Sequence, residues 1–322
     1  MAGDPGLFGP RSVTWQLHGD PMMWIAGVRA LYLQALHPRA VRGVVQNSAA
    51  FQRNEQGRRD AWGRLMRTAD FVGTLSYGTT DAAERAGAAV RGIHRRLSAT
   101  DPATGERYGV DDPALLLWVH CAEVDSYLEV LRRSGYPVGA AQADRYLDEQ
   151  RESARLVGLD PDTVPGDRAA LAAYFDRVRP ELALTPEARG VDDFLRRPPA
   201  PAPLVPARAV LWGWVARLAY GALPAYAHEL YGRPAPPPRA VTRRLRATGC
   251  LLRAIPPTVR WQLPPRHILR AVARLGPDTR PAPYKLRHCA AILDGHGDAR
   301  GGCADDREGG DGGAATRWRK TD

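Results

Sequence analysis

Residues 64–94 read RLMRTADFVGTLSYGTTDAAERAGAAVRGIH, two helical segments on either side of a polar YGTT turn. Helical periodicity predicts one helix over about 61–76 and a second that ends near Leu97. Asp81 begins the second helix as its predicted N-cap, with an acidic capping-box partner three residues later. This stretch therefore predicts an antiparallel pair of helices.

The same helical periodicity continues along most of the chain. His37-Pro38 interrupts the first predicted helix, and Asp112-Pro113 begins another with proline at its first position. Helices are expected over about 21–47, 112–133, 139–157, 167–178, 186–196, 239–253 and 264–275. We expect no strands with a two-residue period. The fold class is all-α, with one domain over 12–276 and a Gly/Asp/Arg-rich tail over 277–322 that is mostly disordered.

The chain of 322 residues carries a net charge of +10. Only two of its 45 basic residues, Lys285 and Lys320, are lysine. The arginines are spread along the chain and alternate with acidic residues, which is typical of solvated helix faces. Neither a nucleic-acid-binding module nor aromatic–basic interleaving accompanies the charge, so we expect no nucleic-acid partner.

No feature of the sequence predicts secretion or membrane insertion. The first ten residues lack the cationic start and apolar core of a signal peptide. The longest apolar stretch, 207–226, is interrupted by arginines and Pro224. None of the four cysteines forms a CxxC pair, and the set His288, Cys289, His296 and Cys303 lacks tetrahedral zinc spacing. We expect a soluble cytoplasmic protein of unknown oligomeric state.

Arg64, Arg67 and Thr68 fall on one helical face because they are three and four residues apart. If that face lines a pocket, the Thr68 hydroxyl could orient dioxygen and an arginine could stabilise negative charge on oxygen or pair with a propionate. The alternative is a solvated surface with two ordinary arginines.

His94 lies on a stripe with Ala83, Ala86, Gly87 and Val90, side chains small enough to let a flat ring approach. The imidazole could be an iron ligand, with Arg91 placed to meet porphyrin carboxylates. The alternative is a core histidine bonded to a carbonyl. At about 1.5 Å per residue, Thr68 and His94 lie at comparable heights on the paired helices, within reach of opposite faces of one cofactor.

Two further histidines are candidates for such a pocket. His37, before a proline, predicts a helix-capping or hydrogen-bonding role, with pocket lining as the alternative. His120 lies three residues before Glu123, which raises the possibility of a carboxylate-bridged di-iron site. That template, however, needs ExxH on two helices. A buried structural histidine, or one that bonds to a metal ligand, is favoured for His120.

An ordered set of short motifs over residues 12–276 resembles the MpaB-type oxygenases, which include the latex-clearing rubber oxygenases. The motifs are Leu36-His37-Pro38, Asn47-Ser48, Phe51, Arg64-Leu-Met-Arg67-Thr68, Tyr77-Gly78-Thr79, Ile93-His94, Trp118-Val-His120, Asp125-Ser126, Leu223-Pro224 and Tyr231-Gly232. No single motif is specific, and their order carries the resemblance.

The resemblance implies a globin-like helical fold that encloses haem b, with His94 as the proximal iron ligand and dioxygen as co-substrate. Arg64 and Thr68 match an arginine and a threonine that rubber oxygenases need. Arg67 stands where those enzymes carry a lysine. The implied reaction is oxidation of an isoprenoid or other apolar substrate, in a pocket lined by residues such as Phe71 and Trp118.

Two other functions remain open from the sequence. One is a non-catalytic helical protein that binds haem or a lipophile in the same cavity. The other is peripheral membrane contact through Trp212, Trp214 and nearby arginines, although apolar residues surround that segment and favour burial.

Overall fold

Helices account for nearly all of the regular structure in the computed structural model, which describes residues 3–48, 55–197, 211–262 and 266–286. The helices are α1 Val13–His18, α2 Met23–Gln34, α3 Pro38–Gln46, α4 Glu55–Tyr77, α5 Thr80–His94, α6 Pro113–Arg133, α7 Ala140–Val157, α8 Arg168–Val178, α9 Pro186–Arg196, α10 Gly213–Gly221, α11 Ala225–Tyr231, α12 Pro238–Ala254, α13 Pro257–Arg260 and α14 His267–Leu275. Short 3₁₀ turns occur at Pro161–Thr163, Arg179–Glu181, Pro277–Thr279 and Pro283–Lys285. The all-α prediction is confirmed.

Several helix starts follow directly from local sequence. Asp112 accepts a hydrogen bond from the Ala114 amide at 2.9 Å, and Pro113 occupies the first position of α6, as predicted. The prediction that Asp81 caps α5 is wrong. Thr79, whose backbone is extended, accepts from the Ala82 amide, while Asp81 lies inside the helix and pairs with Arg85. A capping oxygen must come from the last residue before the backbone becomes helical.

A small antiparallel hairpin corrects the expectation that strands are absent. β1 Ser98–Thr100 pairs with β2 Arg107–Gly109, with Ala99 opposite Tyr108. Both of these residues are buried, and Leu115 packs beside them. The hairpin is too short for a two-residue period to be visible in the sequence.

The centre of the core is the long contact between α2 and α6, with α10 packed on α2. The buried side chain of Arg29 joins all three segments. Its Nη1 donates to Asp125 at 2.8 Å and to Ser126 at 2.6 Å, and its Nε donates to the Ala222 carbonyl at 2.9 Å. A buried guanidinium is tolerated only when it is paired in this way.

All described residues belong to one compact unit that spans 1–290. The start of the predicted tail, residues 277–286, packs against this unit. Trp15 donates its indole hydrogen to the Thr279 carbonyl at 2.7 Å, and Leu286 is buried. The rest of that tail, 287–322, lies outside the described residues, together with Cys289 and His296. Within the described ranges, no helix has both the length and the apolar composition to cross a bilayer.

Candidate functional site

The helical pair α4–α5 carries most of the predicted site residues. Tyr77 ends α4 and donates its hydroxyl hydrogen to the Trp15 carbonyl at 2.8 Å, which anchors the turn to α1. Helix α14 packs on the same face of α4 as Tyr77, and its His267 lies 3.0 Å from Asp70. A Cβ at Gly73 would overlap the His267 ring. Helix α14 therefore packs closely against α4 around Gly73.

His94 is the last residue of α5 and is half-buried. Its Nδ1 is buried and has no hydrogen-bond partner among the described residues. Burial lowers the pKa of His94, and the positive charge of Arg64 lowers it further, whereas Asp111 raises it. The charge of Arg64 on α4 thus acts on His94 at the end of α5. The imidazole is neutral near pH 7 and keeps a lone pair.

The small residues of α5 do not face an open slot. Ala83 and Gly87 are buried, and a Cβ on Gly87 would lie 2.7 Å from the Leu156 carbonyl oxygen of α7. Arg91 donates to that same carbonyl at 2.6 Å. The predicted close approach therefore occurs, but its partner is α7 rather than a flat ring. Arg91 ties α5 to α7.

Arg67 and Thr68 lie on an exposed part of α4. Thr68 donates its hydroxyl hydrogen to the Arg64 carbonyl one turn earlier, at 3.1 Å. Such a bond leaves the hydroxyl oxygen free to accept a hydrogen bond from a ligand. The three predicted residues thus share one face of α4.

His37 and His120 lie away from this group. His37 caps α3, since its Nδ1 accepts from the Ala40 amide at 3.4 Å, and its Nε2 lies 3.6 Å from Glu181. His120 is buried on α6, where burial lowers its pKa to about 4. Glu123 accepts the Tyr127 hydroxyl at 2.7 Å and does not bond to His120. No group of three or more His, Cys, Asp or Glu side chains that could hold a metal occurs in the part of the chain that the structure describes.

Trp118, which was expected to line a substrate pocket, lies instead in the core. It is fully buried, and its indole hydrogen bonds to the Gln34 carbonyl at 3.0 Å. Phe71, on α4, packs with Leu75, Ala83 and Leu156 beside the α5–α7 contact. A small apolar core cluster next to the Arg64 face is therefore built from α4, α5 and α7, and Trp118 has no part in it.

Sequence reasoning missed a buried polar cluster around His18. His18 Nδ1 lies 2.6 Å from the Ser76 hydroxyl, and His18 Nε2 lies 3.0 Å from the Tyr146 hydroxyl. The Ser76 hydrogen is donated to the Val72 carbonyl at 2.8 Å, so Ser76 must accept from Nδ1–H and Tyr146 must donate to Nε2. Burial lowers the pKa of His18 to about 3, which keeps the ring neutral.

The cluster continues onto α6 through an edge-to-face contact of His18 with Tyr127, with ring centroids 5.4 Å apart. Tyr127 is the residue that donates to Glu123, and burial raises the pKa of that carboxyl. Thr68, Val72 and Ser76 follow at intervals of four on α4, so the cluster lies about 12 Å along the same face as Thr68. No local signal marks His18, because its partners are 58 and 128 residues away.

Comparison with known proteins gives one informative match. A family model described as "ER-bound oxygenase mpaB/B'/Rubber oxygenase, catalytic domain" matches residues 15–254. The match begins inside α1, ends with the last residue of α12, and includes every candidate residue described above except the set His288, Cys289, His296 and Cys303. Neither the curated proteins nor the solved structures gave a match.

Proposed function

Because the chain belongs to the family of mpaB and rubber oxygenase catalytic domains, we propose that it is a haem b-dependent oxygenase acting on an apolar, isoprenoid-like substrate, with His94 as the iron ligand. Membership of the family supports oxygenase chemistry with dioxygen as co-substrate. Haem, the substrate class and the roles of individual residues are our own assignments.

The observation that carries the proposal is the state of His94. A buried polar atom without a partner is rare in folded proteins, and in a native protein it usually marks a missing ligand or water. The His94 ring also has a lowered pKa, so it is neutral and able to donate a lone pair to a metal. One such ligand suffices for haem, unlike the multi-residue sites that free metal ions need. These two features of His94 support its assignment as the haem ligand.

When bound, haem would supply a redox-active iron that activates dioxygen. The chain's own residues have separate tasks. His94 would hold the iron through a ring nitrogen. Arg64, whose charge acts on His94, and Arg67 would place positive charge near oxygen that becomes negative or near a propionate. Thr68 would orient an oxygen ligand through its hydroxyl, and Arg91 would hold α5 in place through the Leu156 carbonyl.

The apolar cluster beside this face supports an apolar substrate. Phe71 and Leu75 on α4 pack with Ala83 of α5. Apolar walls with a few convergent polar groups are typical of sites for hydrophobic small molecules.

The test is to supply haem to the purified protein and record its absorption spectrum. We expect a Soret band that is lost or shifted in His94→Ala and restored in part by added imidazole. His267→Asn is the matched control, since His267 is another half-buried histidine with a lowered pKa, and its variant should keep the wild-type spectrum. A Soret band that is identical in His94→Ala would overturn the assignment of the ligand.

An oxygen electrode then distinguishes catalysis from binding alone. With haem bound, we expect dioxygen consumption that depends on an isoprenoid substrate such as squalene and falls in Thr68→Val. Haem binding without any oxygen consumption would favour the non-catalytic alternative.

A further inference from the structure

A cavity that is separate from the α4–α5 pair lies among the end of α9, α10 and the start of α12. Its volume is about 940 Å³, which is in the range of small-molecule sites. It shares no residue with the group around His94. No step of the proposed reaction uses it.

The cavity is strongly cationic. Five arginines line it: Arg196, Arg197, Arg217, Arg233 and Arg244. Arg233 is paired with Asp192 at 2.7 Å and stacks on the Tyr220 ring. Arg217 and Arg244 are exposed, and neither forms a salt bridge with any described residue. Positive charge gathered in a concave site attracts an anion more strongly than the same charge spread over a surface.

Unsatisfied polar atoms lie in the wall of the same cavity. Tyr32 is fully buried, and its hydroxyl has no hydrogen-bond partner of good geometry among the described residues. Arg233 Nε is likewise buried without a partner of good geometry there, and the Arg233 guanidinium lies close enough to the Tyr32 hydroxyl for a hydrogen bond that lowers the Tyr32 pKa, against the larger effect of burial, which raises it. Buried donors of this kind normally bond to a ligand or to ordered water.

The remaining wall is apolar. Leu218, Val241 and Pro236 line it, and the ring of Trp214, which is 43% exposed, lies in the same wall. A ligand that contacts both the cationic and the apolar lining of the cavity must combine an anionic head with an apolar chain. We propose that this cavity binds a single-chain amphiphilic anion, an acyl or prenyl chain that ends in a carboxylate or phosphate.

The experiment measures binding of decyl phosphate below its micelle concentration, by calorimetry and by the tryptophan fluorescence of the full chain. We expect saturable binding of decyl phosphate and at least tenfold weaker binding of decanol, which has the same chain without the charge. The double variant Arg217→Gln/Arg244→Gln should weaken decyl phosphate binding at least about tenfold. Both side chains are exposed, so the variant should fold.

Arg243→Gln is the matched control, because Arg243 is an exposed arginine beside Arg244 that does not line the cavity. Its affinity for decyl phosphate should stay within about twofold of wild type. Equal binding of decanol and decyl phosphate, or equal affinity in the double variant, would overturn the proposal.

A second arm uses phosphatidylcholine vesicles with and without one-fifth phosphatidic acid. Binding to the anionic vesicles that is lost in the double variant supports the same site with membrane lipid as its source. Binding of decyl phosphate alone supports a free amphiphile. Absence of binding in both arms overturns the proposal. No outcome depends on haem, so the result is independent of the proposed oxygenase reaction.

Discussion

Nδ1 of His18 lies 2.6 Å from the Ser76 hydroxyl oxygen, which joins the end of α1 to the end of α4. The other ring nitrogen, Nε2, accepts a hydrogen bond from the Tyr146 hydroxyl of α7. One neutral imidazole therefore connects three helices, and each of its nitrogens has a defined role. Helix α4 carries Arg64 and Thr68, so this contact also helps to position the candidate site.

His18→Phe should lower the free energy of unfolding by about 2 kcal/mol, because Tyr146 is left with a buried hydroxyl and no acceptor. Urea unfolding followed by circular dichroism measures the change. In the double variant His18→Phe/Tyr146→Phe the loss should be smaller than the sum of the two single losses, since the two groups interact directly. Strict additivity would show that the His18–Tyr146 bond contributes nothing.

His120 predicts a pH dependence of stability. Burial lowers its pKa from 6.5 to about 4, so below pH 6.5 the unfolded chain takes up a proton that the folded chain does not. Stability must then fall as the pH decreases from 6.5 to 4, by up to about 1.4 kcal/mol per pH unit for this one group. His120→Leu should reduce the slope of unfolding free energy against pH by that amount. An unchanged slope would contradict a neutral, buried His120.

Gly87 should not tolerate a methyl group. Gly87→Ala places a Cβ 2.7 Å from the Leu156 carbonyl oxygen, so α5 and α7 must separate, which costs about 1–3 kcal/mol. Gly92→Ala is the control in the same helix, because the nearest atom to its Cβ is 3.9 Å away. That variant should be stabilised by up to about 1 kcal/mol through helix propensity. The Tm of each variant, measured by thermal unfolding, gives the comparison. Equal shifts in Tm would disprove the close contact between Gly87 and Leu156.

Arg64 should influence the titration of His94. Since the Arg64 charge lowers the pKa of His94, Arg64→Gln should raise that pKa, and Asp111→Asn should lower it. Arg96→Gln serves as the control, because Arg96 is an exposed arginine close in sequence that is not among the causes of the shift. Imidazole chemical shifts measured by NMR against pH in the haem-free protein report all three variants. An unchanged pKa of His94 in Arg64→Gln would show that the Arg64 charge does not act on His94.

Much of the helical framework could be predicted from local sequence. The helices over 140–157, 168–178 and 186–196 fall within a residue of their expected bounds, because their periodicity and their Gly, Asp and Thr starts act within one turn. The same local reasoning misplaced the cap of α5 and overlooked the hairpin at 98–109. The cap and the hairpin both depend on which residues adopt an extended backbone, and the packing around those residues decides that.

The sequence by itself determined that the chain is helical, where most helices begin and end, and which oxygenase family it resembles. Only the tertiary structure decided that Gly87 faces Leu156, that Trp118 belongs to the core, that the Arg64 charge acts on His94, and that His18 joins three helices. The physical reason is the sequence separation over which each kind of interaction acts. Capping and periodicity act over three or four residues, whereas each of these contacts joins residues about 30 or more apart, and their partners are set by how whole helices pack.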